Sequence, residues 1–146
     1  MLEYEGVQYK GFRNIYNEEG EATGFQVGIR MIGYRGAWLS GFRFGYIEVD
    51  GEKFLADRCT FVVSGVEYTY EETFNLGRVK WPLNEAMIVR VQKPGGLAQG
   101  SHTVSALYGQ VASYVPFGSG ELDINQKPGG HGHSESFGYT REMIIV

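Results

Sequence analysis

A single cysteine, Cys59, occurs in the whole chain, so no intrachain disulfide can form and a disulfide-stapled secreted scaffold is excluded. The opening residues MLEYEGVQYK contain no apolar run of the signal-peptide kind, which points to a cytoplasmic protein. Cationic clusters are missing as well. With a formal charge of -4 and no Lys/Arg patch to displace counterions from phosphates, a nucleic-acid partner is not expected. Hydrophobic residues at 42% and charged residues at 21% argue against both disorder and a membrane protein. Neither a serine nucleophile elbow nor a P-loop is present. The acidic residues are scattered, and no pair can be set across a scissile bond from sequence.

What is abundant is glycine, at 22 residues, and aromatic side chains, with 2 Trp, 10 Tyr and 9 Phe. Helical periodicity is scarce, so this composition predicts short strands and tight turns in an all-β antiparallel β-sandwich, immunoglobulin-like or jelly-roll-like, with little helix. At 146 residues the chain is expected to form one domain over 1–146, with a Gly-rich loop at about 117–138.

The stretch 86–117 organises the rest. Met87, Val89 and Val91 alternate with Ile88, Arg90 and Gln92, the period of a strand with one buried face. Lys93-Pro94-Gly95-Gly96 ends it in a type II turn, because Pro94 presets φ and Gly95 supplies the positive φ. Leu97, Gly100, His102, Val104 and Ala106 follow with the spacing L-x-x-G-x-H-x-V-x-A. In immunoglobulin-like sandwiches a leucine plugs the core at the E–F corner and a Tyr or His near the start of strand F bonds back to it. Leu97 and His102 are read in those roles, and for His102 this outweighs a catalytic one.

Earlier in the chain, Phe12–Tyr16 reads as a strand, and Phe25, Val27, Ile29 and Met31 alternate as a core strand. Phe42, Phe44 and Tyr46 share one parity while Ile47 and Val49 take the other, which predicts a β-bulge near Gly45. Asp50-Gly51 and Ser64-Gly65 are two-residue hairpin turns. One helical turn is expected over Glu71–Asn75, a chain crossing at Trp81-Pro82, and a terminal strand over Tyr139–Val146.

Candidate contact residues lie in two places. The loop from Gly33 to Ser40 carries Tyr34, Arg35 and Trp38, an aromatic-plus-Arg set suited to sugar stacking or to a protein interface. The second face of the strand after His102 carries Leu107 and Val111, apolar surface expected to meet substrate or a partner. His131, His133 and Glu135 invite a metal site, since two imidazoles and a carboxylate could hold one divalent ion. The glycines around them give no rigid support, and the glutamate comes too soon for the cupin pattern, which also needs a later histidine. A solvated loop is therefore expected, with no metal or other cofactor held by this chain and no catalytic residue of its own.

Several segments, in order, resemble the small β subunit of the C-glycoside deglycosidases. They are Gly11-Phe12-Arg13-Asn14, Gly24-Phe25-Gln26 with Ile29-Arg30, Tyr34-Arg35-Gly36 with Leu39-Ser40, Val49-Asp50-Gly51-Glu52, Lys93-Pro94-Gly95-Gly96-Leu97, Gly100-Ser101-His102 and Ser113-Tyr114-Val115-Pro116. The resemblance implies a β-sandwich working in a hetero-oligomer with a larger α subunit, a TIM barrel similar to sugar isomerases and epimerases. That subunit would hold a divalent metal, Mn or Mg, and the acid/base residues of a carbon–carbon lyase. Its substrate would be a C-glycoside, often of a flavonoid, whose sugar carries a 3-ketone. The alternative is a stand-alone carbohydrate-binding or Ig-like interaction module; the lone cysteine and the absent leader count against its extracellular form.

Overall fold

The computed structural model describes residues 2–3, 6–31, 37–110 and 135–145, with 37 and 135–137 as backbone alone. In chain order the strands are β1 (Val7–Tyr16), β2 (Ala22–Ile29), β3 (Ala37–Trp38), β4 (Phe42–Val49), β5 (Glu52–Phe54), β6 (Cys59–Val63) and β7 (Val66–Thr69). A single helical turn, α1 (Tyr70–Thr73), separates these from β8 (Lys80–Trp81), β9 (Met87–Gln92), β10 (Gly100–Gln110) and β11 (Glu135–Ile145). Every pairing among the described residues is antiparallel. One sheet runs β1-β2-β9-β6-β7, the other runs β11-β10-β4-β5, and β3-β8 forms a small separate ribbon. The orders β1-β2-β9-β6 and β11-β10-β4 are those of the A-B-E-D and G-F-C sheets of an immunoglobulin sandwich, with β5 in the place of strand C′.

The core fills from alternate residues of facing strands. Phe25, Val27 and Ile29 of β2 and Met87, Val89 and Val91 of β9 are buried, and Cys59, Phe61 and Val63 of β6 continue that layer. Opposite them lie Phe42, Phe44, Ile47 and Val49 of β4 with Val104, Ala106 and Tyr108 of β10. Phe44 and Ile47 reach the same core because the ladder slips at Gly45. Leu107 pairs with Tyr46 while Tyr108 pairs with Phe44, so Gly45 is the extra residue of a bulge. A Cβ at Gly45 would lie 2.8 Å from Leu107 Cδ2 and 3.0 Å from the Leu107 carbonyl oxygen, so the side-chain-free residue is what lets β10 approach there.

Turn chemistry sets the hairpins. Asp50 and Gly51 have φ of 50° and 91°, and Ser64 and Gly65 have 51° and 80°, the double positive φ that matches the twist of the flanking strands. At the end of β9, Gly95 has φ 85° and the Gly96 amide donates to the Lys93 carbonyl at 2.8 Å, closing a type II turn.

Several boundaries differ from the sequence reading: β2 ends at Ile29, short of Met31, and Trp81, expected at a chain crossing, lies in β8. β1 begins at Val7 rather than Phe12, because a wide irregularity between Gln8 and Arg13, with Gly11 at φ 86°, breaks its alternation. β11 begins at Glu135, inside the range expected to be loop, because an uninterrupted ladder from Gly100–Ile145 to Gln110–Glu135 outweighs its glycine content. The helical turn starts one residue earlier and ends two residues earlier than expected, over Tyr70–Thr73. It starts there because Thr69 accepts from the Glu72 amide at 3.2 Å while Glu72 accepts from the Thr69 amide at 2.9 Å, a complete capping box.

Candidate partner-facing surface

The β3-β8 ribbon presents Trp38 to solvent from a firmly seated base. Trp38 pairs with Lys80 and Ala37 with Trp81, and the Leu39 amide donates to the Val79 carbonyl at 2.8 Å. Leu39 and Trp81 are buried. The Trp81 ring lies 5.8 Å from Phe42 and 6.1 Å from Tyr108, and its indole Nε1 donates to the Glu85 carbonyl at 2.8 Å. The ribbon is thus anchored by one tryptophan and leaves the other 44% exposed. Lys80 Nζ stands 5.1 Å from the Trp38 ring centroid, placing a cation over an amphipathic aromatic.

Neighbouring groups stiffen this end of the sandwich. The Arg43 guanidinium is buried, sits 4.8 Å from the Phe74 ring centroid, and donates to the Ser40 and Phe42 carbonyls at 3.0 and 2.9 Å. The Tyr70 hydroxyl accepts from the Phe44 amide at 2.9 Å, and the Tyr70 ring packs edge-on against Phe42 and Phe44. An exposed aromatic on so rigid a platform loses little conformational freedom when it is covered, which suits an interface anchor. Lys80 carries no periodicity or motif in the sequence, so nothing local marked it as the companion of Trp38.

The other sequence candidates are placed differently. Tyr34, Arg35, Val111, His131 and His133 lie outside the described residues, and Glu135 is described only as the backbone that opens β11 opposite Gln110. Leu107 corrects the expectation of exposed apolar surface: it is fully buried, outside the central core cluster, with its side chain beside Gly45. The bulge that removes a side chain at Gly45 makes the room that Leu107 occupies.

At the opposite end of β4, segments far apart in sequence meet. Leu97 is buried, and its amide and carbonyl are both held by the Asn14 side chain at 2.8 Å. The His102 ring places Nε2 at 2.6 Å from the Ala98 carbonyl and Nδ1 at 2.6 Å from Asp50 Oδ2. Lys93 pairs with Glu52 at 2.9 Å beside them. The His102 bond, with help from the Thr103 amide, holds the Asp50 carboxyl below the usual aspartate range despite some burial. For His102 burial opposes the charge, yet the Ala98 carbonyl and the Asp50 carboxylate outweigh it and the ring's pKa lies above its ordinary value. Burial, with a smaller effect of Asp57, pushes the Cys59 thiol up to about 12. Among the described residues, no three His, Cys, Asp or Glu side chains gather into a group that could hold a metal ion.

Residues 2–114 match the family described as C-glycoside deglycosidase beta subunit. A protein of Eubacterium cellulosolvens with that same description is 39% identical over 115 residues, which cover 79% of this chain and 78% of the relative. The match spans β1 through β10 and includes both the Trp38 ribbon and the Asn14–Leu97–His102 corner. With most of the chain matched and a sandwich fold in place, the protein belongs to the C-glycoside deglycosidase β-subunit family.

Proposed function

We propose that this β subunit acts by docking on an α subunit, with Trp38 as an anchor of the contact and Lys80 beside it. The observation that carries this is an indole 44% exposed on a ribbon that the buried Trp81 anchors to the core. The α subunit is taken to be a barrel resembling sugar isomerases and epimerases, with its own acid/base residues and a divalent Mn or Mg. Such an interface buries about 1,200 Å² or more, with aromatic groups at its centre. The complex is placed in the cytoplasm.

The reaction is a carbon–carbon lyase step on a 3-keto C-glycoside, for instance of a flavonoid. The C3 ketone acidifies the C2 proton, so a base can remove it and leave an enolate. Collapse of that electron pair breaks the C1–aryl bond, and the aromatic carbon takes up a proton as the aglycone leaves. A divalent metal held by the α subunit would supply Lewis-acid support for that enolate. The β chain contributes the docked surface.

The test is to purify this chain, the candidate α subunit, and the two together, and to assay each for aglycone release from a 3-keto C-glycoside. Activity is expected from the pair alone. Full turnover by either chain by itself would remove the reading. The second reading, a stand-alone carbohydrate-binding module, draws on the same exposed indole, and saturable sugar binding by the isolated chain with no α-subunit affinity would favour it.

A further inference from the structure

His102 stands between two acceptors. Its Nε2 is 2.6 Å from the Ala98 carbonyl oxygen and its Nδ1 is 2.6 Å from Asp50 Oδ2. A carbonyl can only accept, and the Asp50 carboxyl is kept ionised by bonds that include the Thr103 amide to Oδ1 at 2.9 Å. A neutral imidazole has one N–H and would leave one of these short contacts as two lone pairs facing each other; an imidazolium satisfies both.

The other groups around the ring do not change that balance. From β11, the residue paired with His102 is the apolar Met143. Glu142 pairs with Thr103 on the other face of β10 and accepts from Ser101 Oγ at 2.9 Å. Lys93, from the end of β9, is engaged with Glu52 at 2.9 Å. Asp50, from the β4–β5 turn, is the carboxylate bonded to the ring.

We propose that the β9–β10 corner is a proton-dependent clasp, closed by a doubly protonated His102 that ties the corner backbone to the β4–β5 turn. The folded ring holds its proton more tightly than the unfolded chain does, so its contribution is full below the ordinary histidine value of 6.5 and is lost as pH rises through the raised folded value. Asp50, lowered on folding, contributes above its ordinary 3.8 and is lost as pH falls through its lowered value. The clasp is closed between those limits. On the alkaline side the neutral ring keeps one N–H and gives up one of its two bonds, while the corner stays tied to the first sheet through Asn14 and Asp50 stays bonded to Thr103. That release lies about 25 Å along β4 from the Trp38 ribbon, so it is separable from docking.

The test uses the isolated full chain, which makes it independent of any α subunit. Ring ¹⁵N NMR at pH 6.5 is expected to show His102 more than half in the form with both nitrogens protonated; half or less overturns the clasp. Asp50→Asn is expected to lower the midpoint of the His102 titration, and an unchanged or higher midpoint overturns it too. If that variant does not fold, the wild-type spectrum decides alone.

Discussion

Asn14 and Leu97, 83 residues apart, are joined by two opposed hydrogen bonds: the Asn14 side-chain Nδ2 donates to the Leu97 carbonyl and the Leu97 amide donates to Asn14 Oδ1, each at 2.8 Å. The amide side chain thus stands in for a paired strand at the corner where the backbone leaves one sheet for the other. Asn14→Ala leaves both Leu97 backbone groups without these partners, and a loss of roughly 1–3 kcal/mol is expected in equilibrium urea unfolding. A change near zero would mean that Leu97 packing alone holds the corner.

Leu97 is 7% exposed and belongs to the core cluster. Leu97→Ala is expected to cost about 2–5 kcal/mol, the range of buried leucine truncations. The same unfolding experiment measures it, with an unaltered midpoint as the contrary result.

Gly45→Ala drives a methyl group to 2.8 Å from Leu107 Cδ2 and 3.0 Å from its carbonyl oxygen. About 1–3 kcal/mol of destabilisation is expected, as for other overpacked sites. In a double-mutant cycle with Leu107→Ala the combined loss should fall short of the sum, because the side-chain part of the clash disappears. Strict additivity would place the strain in the backbone instead.

Trp38→Ala should leave the thermal midpoint of the isolated chain nearly unchanged, since the side chain is 44% exposed. Affinity for the α subunit, measured by titration calorimetry, should fall by more than about 1 kcal/mol. Equal binding by the variant would move the anchor elsewhere on the surface.

Cys59 is buried with its thiol pushed up to about 12, so it should react negligibly with a disulfide reagent at pH 8 in the native chain and readily once unfolded. Fast native labelling would show that β6 opens.

His131 and His133 stand among glycines at 129, 130, 132 and 138, and replacing both with Ala is expected to leave the metal content of the purified chain unchanged. Elemental analysis of both proteins checks this; loss of one equivalent of metal in the variant would contradict it.

Much of this protein was legible because its signals are local. Asp50-Gly51, Ser64-Gly65 and Lys93-Pro94-Gly95-Gly96 each need a backbone geometry that few residues allow, so composition over two to four positions dictates the turn. The parity change between Phe44 and Ile47 required a bulge, and the only side-chain-free residue between them is Gly45. The alternation in β2 and β9 fixed which side chains enter the core.

What tertiary structure decided was pairing over long sequence separations. The start of β11 at Glu135 depends on an eleven-residue ladder with β10, which no local preference at Ser136 or Gly138 reveals. Leu107 looked like outer-face surface because its parity is opposite to Val104 and Ala106, but the slot over Gly45 exists only once β4 and β10 are side by side. His102 was marked by its spacing, whereas its charge was not, because the second acceptor is Asp50, 52 residues earlier, brought to the ring by the hairpin turn of another strand pair. Trp38 was visible as an unusual loop residue; only the ribbon with β8 sets Lys80 over it and pairs the buried Trp81 with its neighbour Ala37, since two-residue strands have no period to read. Backbone geometry is chosen by neighbours in sequence, and the electrostatic and packing environment of a side chain is chosen by neighbours in space.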